Sequence, residues 1–165
     1  MRKTIGQLMS YKLIAVFMFV LQYSSLSLAS TDIKTVKDLT ELKKQAQNSK
    51  VPVLLLFSAE ECEYCDAIRT HYLKPMQQSE KYKDSILFRQ VYIDEFFMIK
   101  NFDGHKITGD KLALNFDVDV TPTILFIDAT GKEIAERLVG ISMVDYFDKL
   151  LDMRITSASD IVSKD

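Results

Sequence analysis

The sequence predicts an α/β domain in which a mixed central sheet of four to five strands is flanked by helices. Three observations carry this. Short apolar runs alternate with helix-period stretches from residue 38 to residue 153. The first two runs are separated by a helix-length segment, which demands a parallel, right-handed crossover. The last two are joined by a short turn, which demands an antiparallel hairpin.

The elements follow in order. Asp38 to Ser49 places Leu39, Leu42 and Ala46 at helical spacing. Val51 to Phe57 (VPVLLLF) is a strand buried on both faces. Ser58 to Glu61 is a polar turn, and a helix starts at Cys62 and runs through Ala67, Ile68 and Leu73. Pro75 kinks or ends it, because proline lacks the N–H and clashes with the preceding turn. Ile86 to Ile93 is a second central strand, and residues 94–110 read as irregular. Phe96, Phe97 and Phe102 in that segment are expected to be core residues. Asp110 is expected to cap a short helix over residues 111–116. Thr123 to Ile127 is a third strand, Asp128 to Gly131 a turn, and Lys132 to Leu138 a fourth strand. Ser142 is expected to cap a last helix over residues 143–153, and residues 156–165 read as a flexible polar tail.

The first 29 residues differ from the rest. Arg2, Lys3 and Lys12 precede the apolar run Leu13 to Leu21, and small residues follow up to Ala29. This is the order of a secretory signal peptide, and the run is short for a membrane span. Cleavage after Ala29 and release into a periplasm is the expectation, with residues 30–155 as the folded domain. The alternative is an uncleaved anchor that holds the domain on the periplasmic side of the membrane. Removing residues 1–29 takes away three basic and no acidic residues, which leaves 18 Lys and Arg against 23 Asp and Glu, a net charge of −5. That excludes the basic patch a nucleic-acid partner requires.

The cysteines carry the chemistry. There are two, Cys62 and Cys65, so no disulfide framework is available to staple the core. A bridge across two intervening residues adds negligible loop-closure stabilisation. A structural zinc takes four ligands, and neither a further cysteine nor suitably spaced histidines exist to complete the set. No metal and no cofactor is expected. Cys62 stands where a buried strand hands over to a helix, and the free amides and dipole of a helix N-terminus favour a thiolate. Cys65 lies one turn on, within reach of a mixed disulfide formed at Cys62. Cys62 attacks and Cys65 resolves.

These residues resemble the thioredoxin superfamily. The sequence Cys62-Glu63-Tyr64-Cys65 follows a strand ending in Phe57-Ser58-Ala59, Val120-Thr121-Pro122-Thr123 precedes the third strand, and Gly131-Lys132 sits in the final hairpin, with Gly140 near its end. The match spans about residues 33–153 and is most similar to the SoxW-like periplasmic thioredoxins of sulfur-oxidation systems. The resemblance implies a thioredoxin fold, a cis Pro122 beside Cys62, and a Thr121 backbone that hydrogen-bonds an extended substrate segment. Glu63 and Tyr64, between the cysteines, are further candidates for substrate contact. The sequence departs from thioredoxin at Glu61, where a Trp is usual, and at Leu56, where a buried acid is usual. Glu60, Glu61 and Glu63 either stand in for that acid or form a solvated rim; the rim is expected for at least two of them. Carboxylates beside the pair disfavour a thiolate, which points to a reductant supplied by a membrane donor of the DsbD or CcdA type. A disulfide oxidase or isomerase and a non-catalytic binding module are the rival readings. A monomer acting on disulfide-bearing periplasmic proteins is expected.

Overall fold

The computed structural model of the protein describes residues 32–94, 96–141 and 144–164. The expected signal peptide, residues 1–29, and Ser142, the expected cap of the last helix, lie outside the described residues. The elements run β1 (Lys34–Thr35), α1 (Leu39–Ser49), β2 (Val53–Ser58), α2 (Glu63–Ala67), a π-helical stretch (Ile68–Leu73) and α3 (Lys74–Gln78). They continue with β3 (Leu87–Tyr92), β4 (Ile99–Lys100), β5 (Lys106–Ile107), α4 (Gly109–Asn115), β6 (Thr123–Ile127), β7 (Glu133–Val139) and α5 (Phe147–Val162).

Five strands form one mixed sheet in the order β1-β3-β2-β6-β7. β1 and β2 run parallel to β3, β6 runs antiparallel to β2, and β7 antiparallel to β6. This is the crossover and hairpin that the sequence predicts. Every residue of β2 is buried, and its side chains alternate between two apolar layers. Leu54 and Leu56 pack with Ile68, Leu73, Phe147 and Leu151 on one face. Val53, Leu55 and Phe57 pack with Leu39, Leu42 and Leu112 on the other. The sheet is therefore covered on both sides, as a continuous apolar strand requires.

Besides the unexpected β1 and a last helix that starts at Phe147 after a 3₁₀ turn (Val144–Tyr146), the structure departs from the sequence reading at five places. Of the two outcomes expected of Pro75, a kink or an end, it does not end the helix: it occupies the first turn of α3, and the helix runs on to Gln78. The π-helical stretch lies directly upstream, and Lys74 N–H reaches back to Arg69 O, widening the turn where the proline ring enters. The polar tail expected from Thr156 is instead helical through Val162. Phe147, Leu151, Ile155 and Ala158 form a buried stripe, and the Ser159 hydroxyl donates to Ser85 O at 3.0 Å. α4 begins at Gly109, ahead of Asp110, with Thr108 at the cap position. Only glycine fits there, because a Cβ would stand 2.0 Å from Tyr92 O. Residues 94–110 contain a small hairpin, β4 with β5, rather than irregular chain alone. Within that segment Phe97 and Phe102 pack on the core as expected, whereas Phe96 is fully exposed.

Candidate active site

β2 ends at the buried Ser58, and after three intervening residues the chain enters α2 with Cys62 as its N-cap, in extended backbone conformation (φ −126°, ψ 96°). Cys62 Sγ accepts the Cys65 N–H at 3.2 Å, the hydrogen bond of a helix cap made by sulfur. The pair is a disulfide with Cα atoms 5.2 Å apart. The two cysteines are not equivalent. Cys62 is half-buried and Cys65 fully buried, so an incoming disulfide meets Cys62 while Cys65 waits beneath.

The second wall comes from the turn before β6. The Thr121–Pro122 peptide bond is cis, as the resemblance implies. The Thr121 hydroxyl lies 3.9 Å from Cys62 Sγ and donates toward it. Pro122 is buried, its carbonyl accepts from Gly140 N–H at 2.8 Å, and the Thr123 hydroxyl donates to Val120 O at 2.8 Å. The turn is thus tied to its own strand and to the end of β7. Cys62 and Cys65 from one segment and Thr121 and Pro122 from another, which begins 59 residues after Cys62, are brought together.

Glu63 and Tyr64 occupy the first turn of α2 and point outward; Tyr64 is 68 % exposed. Glu60, Glu61 and Glu63 are all exposed, which gives the solvated acidic rim. Glu60 is held through its backbone: its N–H donates to the Asp94 carboxylate at 3.0 Å, tying the loop after β3 to the loop before Cys62. Val120, half exposed, adds an apolar edge.

Sequence reasoning missed the polar cluster beneath the pair. Arg69 is buried and reaches Ser58 Oγ at 2.7 Å and Gln90 Oε1 at 3.2 Å through Nη1. Its other nitrogen, Nη2, pairs with Asp66. The signal available was the four-residue spacing from Cys65, which sets Arg69 on the same helical face.

A Cys-x-x-Cys pair at the start of a helix, beside a cis Thr121–Pro122 bond at the same end of a mixed sheet, defines a thiol–disulfide oxidoreductase of the thioredoxin fold. The family model of the thioredoxin-like domain matches residues 39–154, and the chain belongs to that family. Among solved structures it is similar to a poplar thioredoxin h mutant (TM-score 0.54, 20 % identity, 82 % of this chain and 92 % of that one). It is also similar to thioredoxin from Malassezia sympodialis (TM-score 0.54, 20 % identity, 77 % and 90 %). A third is thioredoxin O2 from Arabidopsis thaliana in its oxidised state (TM-score 0.50, 20 % identity, 78 % and 99 %). These likenesses concern the fold. No curated protein matches the sequence.

Proposed function

We propose that the protein is an exported reductase that opens disulfides of other exported proteins, with Cys62 as the attacking thiolate and Cys65 as the resolving thiol. The observation that carries the direction of electron flow is the setting of Cys62. Its sulfur accepts one helix-terminal amide, and three exposed carboxylates, Glu60, Glu61 and Glu63, flank it in the sequence. The amide favours a thiolate, while the carboxylates oppose it, so the thiolate is only moderately stabilised. A strong oxidant needs a heavily stabilised reduced form. Export to a periplasm is supported by the basic, apolar and small-residue order of residues 1–29. There a reductant needs electrons from a membrane donor of the DsbD or CcdA type. Substrate enters as an extended segment along Thr121 and Pro122, with Glu63 and Tyr64 contacting it from the helix side. The protein acts as a monomer.

The test is the equilibrium reduction potential of the pair, titrated against glutathione or dithiothreitol in protein lacking residues 1–29. A value near that of thioredoxin, around −270 mV, is expected. A value near −120 mV, that of a strong oxidant, overturns the reductase reading.

A further inference from the structure

Arg69 is the only charged side chain among the described residues that is buried, at 7 % exposure. Three other polar side chains are buried, and two of them, Ser58 and Gln90, accept from Arg69 Nη1. Gln90 is itself fixed: its amide nitrogen donates to Ile33 O at 2.9 Å and to Thr35 Oγ1 at 3.2 Å, which turns its oxygen toward the guanidinium. The Tyr92 ring lies 5.4 Å from Arg69 Cζ.

The strand alternation says where this cluster sits. Ser58 continues the Leu54–Leu56 face of β2, and Gln90 continues the Phe88 face of β3. Both faces look toward α2. Cys65 and Arg69, four residues apart and both buried, therefore lie on the side of the helix that covers the sheet. A buried guanidinium is a costly means of fastening a helix, since an apolar side chain of similar volume avoids its desolvation. Its ion-pair partner, Asp66, is exposed and so screened by solvent, and Asp32, which also feels the Arg69 charge, is exposed as well. The positive charge on the sheet-facing side of the helix is thus paired only with exposed carboxylates.

The exchange reaction has a use for it. Cys62 thiolate attacks a substrate disulfide and displaces one substrate thiolate. Cys65 then gives its proton to solvent and attacks the Cys62 sulfur. The Cys62–Cys65 bond forms, the second substrate thiolate leaves, and two electrons have passed to the substrate. Cys65 is buried, which disfavours its ionisation. No Asp or Glu side chain is buried among the described residues, and the position paired with Gln90 on β2 is Leu56. We propose that Arg69 is a positioning residue of this reaction, whose fixed charge favours the thiolate of Cys65 in the resolving step. A guanidinium suits that task because it stays charged at every working pH.

The other titratable groups around Cys65 are few. Asp66 follows it, and Glu60, Glu61 and Glu63 stand at the helix entrance. Tyr92 lies on β3, Asp94 on the loop after it, and Asp119 before the proline turn. Beyond Arg69 is the Asp32–Lys74 ion pair. All the carboxylates are exposed and opposite in sign to Arg69.

The proposal rests on exchange at the pair and not on its direction. The experiment titrates Cys65 alone, by thiolate absorbance, in the C62S protein and in C62S carrying R69M or R69K. R69M is expected to raise the Cys65 midpoint by about one pH unit, the loss of a nearby opposite charge. R69K, which keeps the charge, is expected to restore most of the shift. In protein with both cysteines, the pH profile of mixed-disulfide resolution should move by the same amount. Should R69M fail to fold, R69Q replaces it, keeping a hydrogen-bonding head without charge. An unchanged midpoint in the neutral variant, with lowered thermal stability, overturns the proposal and leaves Arg69 a structural fastener. Wild-type protein that fails to exchange disulfides at all overturns the reading of the pair itself.

Discussion

Two helices of this molecule begin with a side chain that accepts its own helix amides, and the two caps have opposite outcomes. At α1, Asp38 Oδ1 accepts Thr40 N–H at 2.7 Å, Glu41 N–H at 3.1 Å and the Thr40 hydroxyl at 2.6 Å. Its other oxygen meets Lys100 Nζ at 3.2 Å. With its acceptors filled, the carboxyl is held down at about 2, by the Thr40 hydroxyl first and by the amide and lysine partners after it. At α2, Cys62 Sγ takes one amide at 3.2 Å and a long contact from Thr121. The same helix-end physics supports both. A saturated cap is a fixture, whereas a cap with unfilled acceptors and partial exposure is free to react.

The sharpest way to test this contrast is to exchange the roles. Cys62→Asp keeps a cap and removes the nucleophile, so disulfide exchange falls to background in an insulin-type reduction assay. Under reducing conditions Cys62→Ala, which also loses the cap, is expected to unfold more easily than Cys62→Asp by about 1 kcal/mol. Retained exchange in Cys62→Asp would mean that the chemistry lies elsewhere.

Asp38→Ala inverts the pattern. It lowers the thermal unfolding midpoint by a few degrees and leaves the exchange rate unchanged. The pH dependence follows with a definite sign. The folded carboxyl stays ionised to about 2, while the unfolded one protonates near its ordinary value of 3.8. The contribution of Asp38 is therefore complete above the unfolded value and is lost as pH falls toward the folded one. Acid unfolding curves of wild type and Asp38→Ala should converge across that interval. Curves that stay parallel contradict a saturated cap.

The smallest effect belongs to Thr121→Val, which removes the hydroxyl facing Cys62 Sγ. The exchange rate is expected to change less than tenfold, because the contact is long for a hydrogen bond, even to sulfur. A loss of two orders of magnitude would make the hydroxyl a principal stabiliser of the thiolate.

Legibility in the sequence followed the range of the forces involved. β2, β3 and β6 were legible as short apolar runs, β7 by its alternating character after a turn, and Cys62 with Cys65 because the pair has no structural use. β1 escaped because two residues carry no period; its place comes from pairing with β3. The end of α5 escaped because attention to its polar residues hid the spacing of Leu151, Ile155 and Ala158, which was there to be read. Arg69 escaped for a better reason: an arginine on a helix reads as surface, and only Ser58 and Gln90, contributed by two strands, give it a buried site. Phe96 shows the converse, an aromatic residue expected inside and found in solvent.

The sheet order has one more consequence. A thiol–disulfide oxidoreductase acting as proposed meets loosened polypeptide, and loosened polypeptide pairs with any unprotected strand border. One border here is β1, only two residues long; the other is β7, whose pairing with β6 slips register twice and whose outer residues include the Glu133–Arg137 ion pair. Both borders are poor templates for an incoming strand. The molecule is thereby guarded against edge-to-edge pairing with unfolded chains.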